Sequence, residues 1–541
     1  MLAAIPETIP LVWTEWGMIL VFIGGVLYAG WAFRKQAGVS LDSAYLADRE
    51  VPGFVASLST VATNLNINDF VGRAGFVYLL GMIAVHDMVT GALAMGFVAL
   101  FVMRQLRGLN ARTLGDWLER RYSTSVGVAY SLIWVFVWML FNLGLYIFGG
   151  AFILNQLVGW DLYWSLVVLS VIAAGYTLMG GFRAVVATDL LQLVLMFFPM
   201  VILAITAIVH AGGFAAIAEA LPEGKNNPWQ WHTDSLGSLS VVLFGGLAMG
   251  MSYWSSEAQV VQRPLSARDS DSAIVSYLGA AFWYMILMPF VVTIPALAAI
   301  SLFPDLGHHD EAIPTLIRHM LPSGLYGMVI IGMIAGFFSS ADSQINAFCG
   351  MFTHEIYKRF LVPGRSNHHY VTVSRVAGVL FTLAAIGTAI LVSTNTGGMV
   401  LFAISVLVTI MPPFGAVTIL GCLWRRATSA GALAGLVVGG GWSIGLILFE
   451  QIVSRDPRYE ALFATYTSMV GEQTFNFRAL TTFLITLLVA VGGSLLLPGR
   501  GIVSQTAGVG LPRNVPAHIL SMVAALFLGG MAIYVFWSLM F

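Results

Sequence analysis

The sequence predicts an all-α polytopic membrane protein of about fourteen transmembrane helices. Three observations predict it. The 541 residues are 58% hydrophobic and only 9% charged, where a soluble globular chain carries about 25% charged residues. Mean hydropathy is +0.86. Apolar stretches of the roughly 20 residues needed to cross a bilayer as a helix recur along the whole chain, separated by short polar loops.

The stretches fall at 12–33, 52–78, 80–103, 126–157, 161–181, 187–212, 238–262, 272–303, 323–357, 370–393, 397–424, 428–450, 478–497 and 516–540. Those at 126–157, 272–303 and 323–357 are long enough to tilt strongly or to extend past the bilayer. With the N-terminus outside, 19 of the 25 Lys and Arg residues fall in cytoplasmic loops, Arg263 among them, and five fall outside. That asymmetry supports the count and its parity. A multi-pass protein of the plasma (inner) membrane is expected, with both termini on the non-cytoplasmic side. The N-terminus lacks the basic region of a signal peptide. The net charge of −1 selects neither acidic nor basic partners; the bilayer is the expected surroundings, and no nucleic-acid partner is expected. Cys349 and Cys422 lie in apolar stretches and read as buried thiols.

Several stretches are not purely apolar, and ionisable groups inside a span are costly enough to mark functional candidates. The second stretch, SLSTVATNLNINDFVGRAGFVY, places Asn64, Asn66, Asn68 and Asp69 within six residues. These short polar side chains compete for backbone hydrogen bonds, so a helix is expected to break near Thr63 to Asn66. Irregular backbone at membrane depth is tolerated where it is buried or lines a cavity. Two readings follow: asparagines that bond neighbouring helices, or a discontinuous helix that offers carbonyls to an ion and a solute. Asp69 and Arg73, four apart, can pair on one face.

The seventh stretch, GGLAMGMSYWSSEAQVVQR, is the counterpart. Gly245, Gly246 and Gly250 loosen it, and Ser255, Ser256, Glu257 and Gln259 follow. It lies five spans after the second and runs the opposite way. Interrupted helices at corresponding places in halves of opposite topology point to the binding site of a secondary transporter.

In the ninth stretch, MIAGFFSSADSQINAF, Gly336, Ser339, Ser340 and Ser343 form a polar seam on one helix face, with Asp342 beside it. A dehydrated Na⁺, like other hard cations, takes about six oxygens. Hydroxyls from this seam and carbonyls from a broken helix can supply them. The alternative is serines bonded back to their own helix. Asp189, in GFRAVVATDLLQ, is either a solvated acid near a helix end or part of an inner cation path. His86 and Asp87, with Thr90 a turn later, are either outer-loop residues or face the solute.

These stretches carry a resemblance to the sodium/solute symporter family, which includes sodium/glucose, sialic acid, proline and choline carriers. YLADREVPGFVASLSTVATNLNINDFVG is similar to that family's first core helix and its lead-in. YTLMGGFRAVVATDLLQLVLM resembles the segment between core helices four and five. YWSSEAQVVQRPLSAR resembles the sixth, AGFFSSADSQINAFCGMFTHEIYKRF the eighth, and PPFGAVTILGCLWRRATSAGA the run from ten to eleven. The resemblance spans roughly residues 40–450.

It implies a LeuT-like core, an inverted five-helix repeat, at 46–425. One extra transmembrane helix would precede it in 1–45, and three would follow in 426–541. It implies Na⁺-coupled symport of a small polar organic solute by alternating access, and no enzymatic activity. By position, the main Na⁺ site would use the carbonyls of Ala62, Leu65 and Gly336 and the hydroxyls of Ser339 and Ser340. A candidate second cation site would join Asp189, Asp342 and Ser343. Asp342 stands where several members carry Ser or Thr, which leaves a second Na⁺, a proton or a merely polar interior open.

The family's sugar-binding residues on core helix six are replaced by Glu257, Ala258 and Gln259, and its core-helix-seven Lys aligns near Met285. A hexose is therefore not expected. The solute candidates are Asn64, Asn68, Asp69, Asp87, Thr90, Glu257 and Gln259, whose acids favour a cationic or zwitterionic solute. A proton-coupled symporter, a transporter-like sensor and a membrane-embedded enzyme are the competing readings. The histidine pairs His308–His309 and His368–His369 sit in loops and suggest solvated surface rather than a catalytic centre.

Overall fold

The computed structural model describes residues 11–223, 225–226, 238–322, 324–394, 399–454, 457–462, 464, 474–497 and 516–540. Helices, 3-10 turns and wide helical turns make up its regular structure, with one isolated bridge between Val51 and Ala267. In chain order the principal helices are α1 (Trp13–Ala37), α2 (Gly53–Asn64), α3 (Ala74–Leu80), α4 (Val85–Val98), α5 (Thr124–Val158), α6 (Leu162–Ala211), α7 (Ser238–Ser256), α8 (Ala258–Ser266), α9 (Ser270–Leu302), α10 (Leu325–Leu361), α11 (Asn367–Ser393), α12 (Met399–Leu423), α13 (Ser429–Val453), α14 (Thr474–Leu496) and α15 (Ala517–Met540). Among the described residues ten helices are long and apolar enough to cross a membrane.

Two of the expected spans are split. The second is α2 and α3, separated by residues 65–68 and a wide turn at Asp69–Arg73. The seventh is α7 and α8, separated at Glu257, whose ψ of 115° is extended. The fifth and sixth stretches run together as α6, 50 residues long. A straight helix of that length would measure about 75 Å, far more than a bilayer. Gly181, at φ 61° and ψ −162°, breaks it. A Cβ at Gly181 would lie 2.7 Å from the Ala44 carbonyl oxygen, so only glycine suits both the backbone angle and the approach.

Helix α2 is buried between α6, α8, α9 and α10, and α7 packs on α4, α12 and α14. The two broken segments therefore sit at the centre of the bundle. The close approach of α10 to the first break depends on Gly336. A Cβ there would lie 3.0 Å from Phe70 Cε2, 3.1 Å from Met196 Sδ and 3.5 Å from Asn66 Cα. Both cysteines are buried and unbridged.

Candidate functional site: an ion site and a solute cavity at two broken helices

The break after α2 is built by its own asparagines and aspartate. In an unbroken helix the Asn66 amide would donate to the Ala62 carbonyl. It donates instead to Asp69 Oδ2 at 3.0 Å. The Asp69 amide donates to the Asn66 carbonyl at 2.9 Å, not to that of Leu65. The side chain of Asn66 accepts the Asn68 amide at 2.8 Å. Side chains thus replace backbone partners, and the carbonyls of Ala62 and Leu65 lose their usual helical donors. Both residues are fully buried.

Facing this break, the Ser340 hydroxyl donates to the Thr63 carbonyl at 2.8 Å. Its neighbour Ser339 turns aside and donates to Asp189 Oδ1 at 2.6 Å. The carbonyls of Ala62 and Leu65 and the Ser340 hydroxyl are neutral oxygens of the kind a hard monovalent cation takes, and Ser339 stands one residue away with its hydroxyl on Asp189. The donor set fits Na⁺.

Asp189 is fully buried rather than solvated. Its partner is Arg263, which the sequence placed in a cytoplasmic loop. The structure corrects this: Arg263 lies on α8, is fully buried, and donates through Nη2 to Asp189 Oδ2 at 3.0 Å. It therefore adds nothing to the loop-charge asymmetry. Its signal in the sequence was its place one and a half turns after the Glu257 break, which a loop-charge count ignores. Asp342, also buried, accepts from the Tyr176 hydroxyl at 2.5 Å and from Ser343 Oγ at 3.1 Å.

Above the break lies a cavity of about 220 Å³. Asn64, Asn66, Asn68, Asp69 and Arg73 form one wall, and Trp138, Asn142, Tyr146, Tyr253, Trp254 and Tyr284 form another. Tyr253 donates to Asn64 Oδ1 at 2.7 Å and so ties the two broken segments together. Asp69 is paired with Arg73 at 2.8 Å. The aromatic lining went unseen because Trp138 sits in an apolar run, WVFVWML, that reads equally well as lipid-facing.

The other solute candidates lie behind this lining. Glu257 is buried behind Trp138, whose indole N–H donates to it at 2.5 Å. Gln259 donates to the Tyr146 hydroxyl at 2.9 Å. Thr90 donates to the His86 carbonyl at 2.8 Å, on the helix face that meets Gly246. The Asp87 side chain lies outside the described residues. His308, His309 and Asp310 bring ligand atoms within 4.8 Å of one another. His308 Nδ1 already accepts the Asp310 amide at 3.2 Å, which caps a short turn.

Ion pairs join the loops on the arginine-rich face. Arg112 holds Asp42 through bonds of 2.6 and 3.1 Å and reaches His354 at 3.0 Å. Arg183 pairs with Asp48 at 3.0 Å and with Glu50 at 2.7 Å. Burial by itself would raise the Asp42 carboxyl, but the hydrogen bond and charge of Arg112 outweigh it and hold the group below its ordinary value.

The model of the sodium:solute symporter family matches residues 44–439. The chain belongs to the sodium:solute symporter family. The sodium/glucose cotransporter of Vibrio parahaemolyticus is 25% identical over 466 residues, 80% of this chain and 84% of that protein. The sodium/myo-inositol cotransporter 2 of Oryctolagus cuniculus is 26% identical over 460 residues, 78% of this chain and 68% of that one. Among solved structures, a substrate-bound, outward-open Na⁺-coupled sialic acid symporter superposes with a TM-score of 0.75 at 18% identity, covering 90% of this chain and 98% of that one. This multi-pass symporter has the LeuT-like inverted-repeat fold, and Na⁺ is its coupling ion.

Proposed function

We propose that the carrier imports a small, neutral or zwitterionic polar solute held in the cavity beside the first break, driven by Na⁺ bound beneath it. One observation carries this reading: a single irregular segment, residues 62–69, serves both ligands. Its Thr63 carbonyl accepts the Ser340 hydroxyl, and its asparagines and Asp69 wall the cavity. A cation that fixes the lower carbonyls fixes the wall above them. A coupling free energy between the two sites, equal in both directions, follows.

The charge of the cavity supports the solute class. Asp69 is neutralised by Arg73, and Glu257 accepts the Trp138 indole N–H behind the cavity wall rather than on it. The acids therefore do not make a cation trap. Five tyrosine and tryptophan rings beside five asparagines suit an uncharged polar skeleton, or a zwitterion whose cationic end meets ring faces. The Na⁺ site is assigned to Ala62, Leu65, Gly336, Ser339 and Ser340. The arginine-rich face is assigned to the cytoplasm of a plasma (inner) membrane protein. Residues 46–425 are assigned as the transport core, with 1–45 and 426–541 as added helices.

A thermal-shift screen tests the solute class. Sugars, polyols, amino acids, carboxylates and quaternary amines would be compared with and without Na⁺, since a ligand of the folded state raises its stability by mass action. A neutral or zwitterionic compound should raise the midpoint more in Na⁺ than in choline. A response confined to purely cationic amines would contradict the assignment.

A further inference from the structure

We propose that Arg263 is a tethered cation that fills the second cation site and holds the coupling at one Na⁺ per cycle; this rests on the Na⁺-symport reading above. Asp189, Ser339, Ser343, Ser59 and Thr63 converge from α2, α6 and α10 on one fully buried spot. Such a set of carboxylate and hydroxyl oxygens is what a second hard cation would use. A cation is already there, and it belongs to the chain.

The guanidinium of Arg263 is bonded through all three of its nitrogens. Nη2 reaches Asp189 Oδ2 at 3.0 Å and Ser343 Oγ at 2.6 Å, and also bonds Thr63 Oγ1. Nη1 donates to the Gln259 carbonyl at 2.6 Å, and Nε reaches Ser59 Oγ at 3.2 Å. Three acceptors crowd the two N–H groups of Nη2, and Nη1 and Nε each find one more. The Phe182 ring lies 5.6 Å from Cζ.

Asp189 is equally committed. Ser339 donates to Oδ1 at 2.6 Å, and Ser59 donates to Oδ2 at 2.5 Å. Asp342, the other acid of the expected site, turns to Tyr176. A second Na⁺ would have to displace a charge-paired guanidinium from a fully buried site, where removing one partner of a buried pair leaves the other uncompensated.

The position also explains what Arg263 does for the known coupling. It lies just past the break in the seventh span and grips Ser59 and Thr63 on α2, the helix that breaks in the second span. Thr63 offers its hydroxyl to Arg263 and its carbonyl to Ser340. Ser339 reaches Asp189 from the turn that supplies Ser340. The proposed Na⁺ site and the guanidinium thus adjoin, with Ser339 and Thr63 common to both surroundings.

The test is equilibrium binding of radioactive Na⁺ to the purified full-length protein. It is paired with the Na⁺ dependence of thermal stability in NaCl–choline chloride mixtures of constant ionic strength. The wild type should bind one Na⁺ per chain with a Hill coefficient near one. Arg263→Gln frees the acid and hydroxyl oxygens and should bind two, with a Hill coefficient rising toward two and a larger Na⁺-dependent midpoint shift. Arg263→Lys, which keeps the charge, should stay at one. Two ions in the wild type, or one in folded Arg263→Gln, would overturn the proposal. If Arg263→Gln does not fold, the wild-type count still decides. No Na⁺ binding at all would instead sink the symport reading on which the proposal rests.

Discussion

Removing the Ser340 hydroxyl tests the ion site at its most exposed assumption. Ser340 is fully buried, and the hydrogen bond of its hydroxyl, 2.8 Å to the Thr63 carbonyl, joins α10 to the break. Without Na⁺, Ser340→Ala should lower stability by about 1 kcal/mol, the net worth of one neutral hydrogen bond. With Na⁺ the loss is larger, because an oxygen next to a charge is removed. Interactions with charged groups contribute about 1.5–3 kcal/mol, which converts to a Na⁺ affinity roughly 10- to 100-fold weaker. The assay is the unfolding midpoint across a NaCl series, read for the concentration that gives half the maximal shift. Ser340→Thr keeps the hydroxyl and should lie near the wild type. A folded Ser340→Ala protein with an unchanged half-saturation would place the ion elsewhere.

Gly181→Ala forces a Cβ to 2.7 Å from the Ala44 carbonyl at a positive φ. Strain and overpacking of about 1–3 kcal/mol each should lower the unfolding midpoint by several degrees, and an unchanged midpoint would mean that α6 does not bend there. Trp138→Phe keeps a ring on the cavity but strips Glu257 of its indole donor. Stability should fall by about 1–3 kcal/mol, and a Trp138→Phe/Glu257→Gln double-mutant cycle should show strong coupling; additive effects would deny the contact. Asp42→Asn removes the carboxylate held by Arg112. Because the folded Asp42 pKa is depressed, its stabilisation is complete above the unfolded value near 3.9 and is lost as pH falls through the folded value. The wild-type advantage over Asp42→Asn should be flat from neutral pH down to about 5 and shrink only below about 4; an advantage already gone at pH 6 would contradict the pairing.

Much of the fold was legible because lipid imposes a simple rule: apolar length marks a span, and polar interruptions mark its irregularities. Asn64 to Asp69 betrayed the first break because those side chains compete with the backbone for hydrogen bonds, as the Asn66 amide on Asp69 illustrates. Gly181 gave no such signal among the chain's many glycines, since its need arises from a positive φ and from the approach of Ala44, neither of which local sequence shows. Arg263 was misplaced for a related reason. Its sequence neighbours, Gln262 and Pro264, resemble a loop edge, whereas its partner Asp189 lies 74 positions earlier. Charge pairing across that distance leaves no trace in local pattern. Glu257 drew attention as a solute candidate because it stands at a sugar-binding position of the family it resembles, but which face it takes depends on Trp138, 119 positions away.

Na⁺-gradient-driven uptake tests the central claim most directly. Proteoliposomes would be loaded without Na⁺ and given the labelled solute from the thermal-shift screen, with external NaCl or an equal concentration of choline chloride, at fixed and equal pH on both sides. The account predicts accumulation above equilibrium in Na⁺, collapse of that accumulation when a Na⁺ ionophore dissipates the gradient, and only slow equilibration in choline. Full-rate accumulation in choline would contradict it.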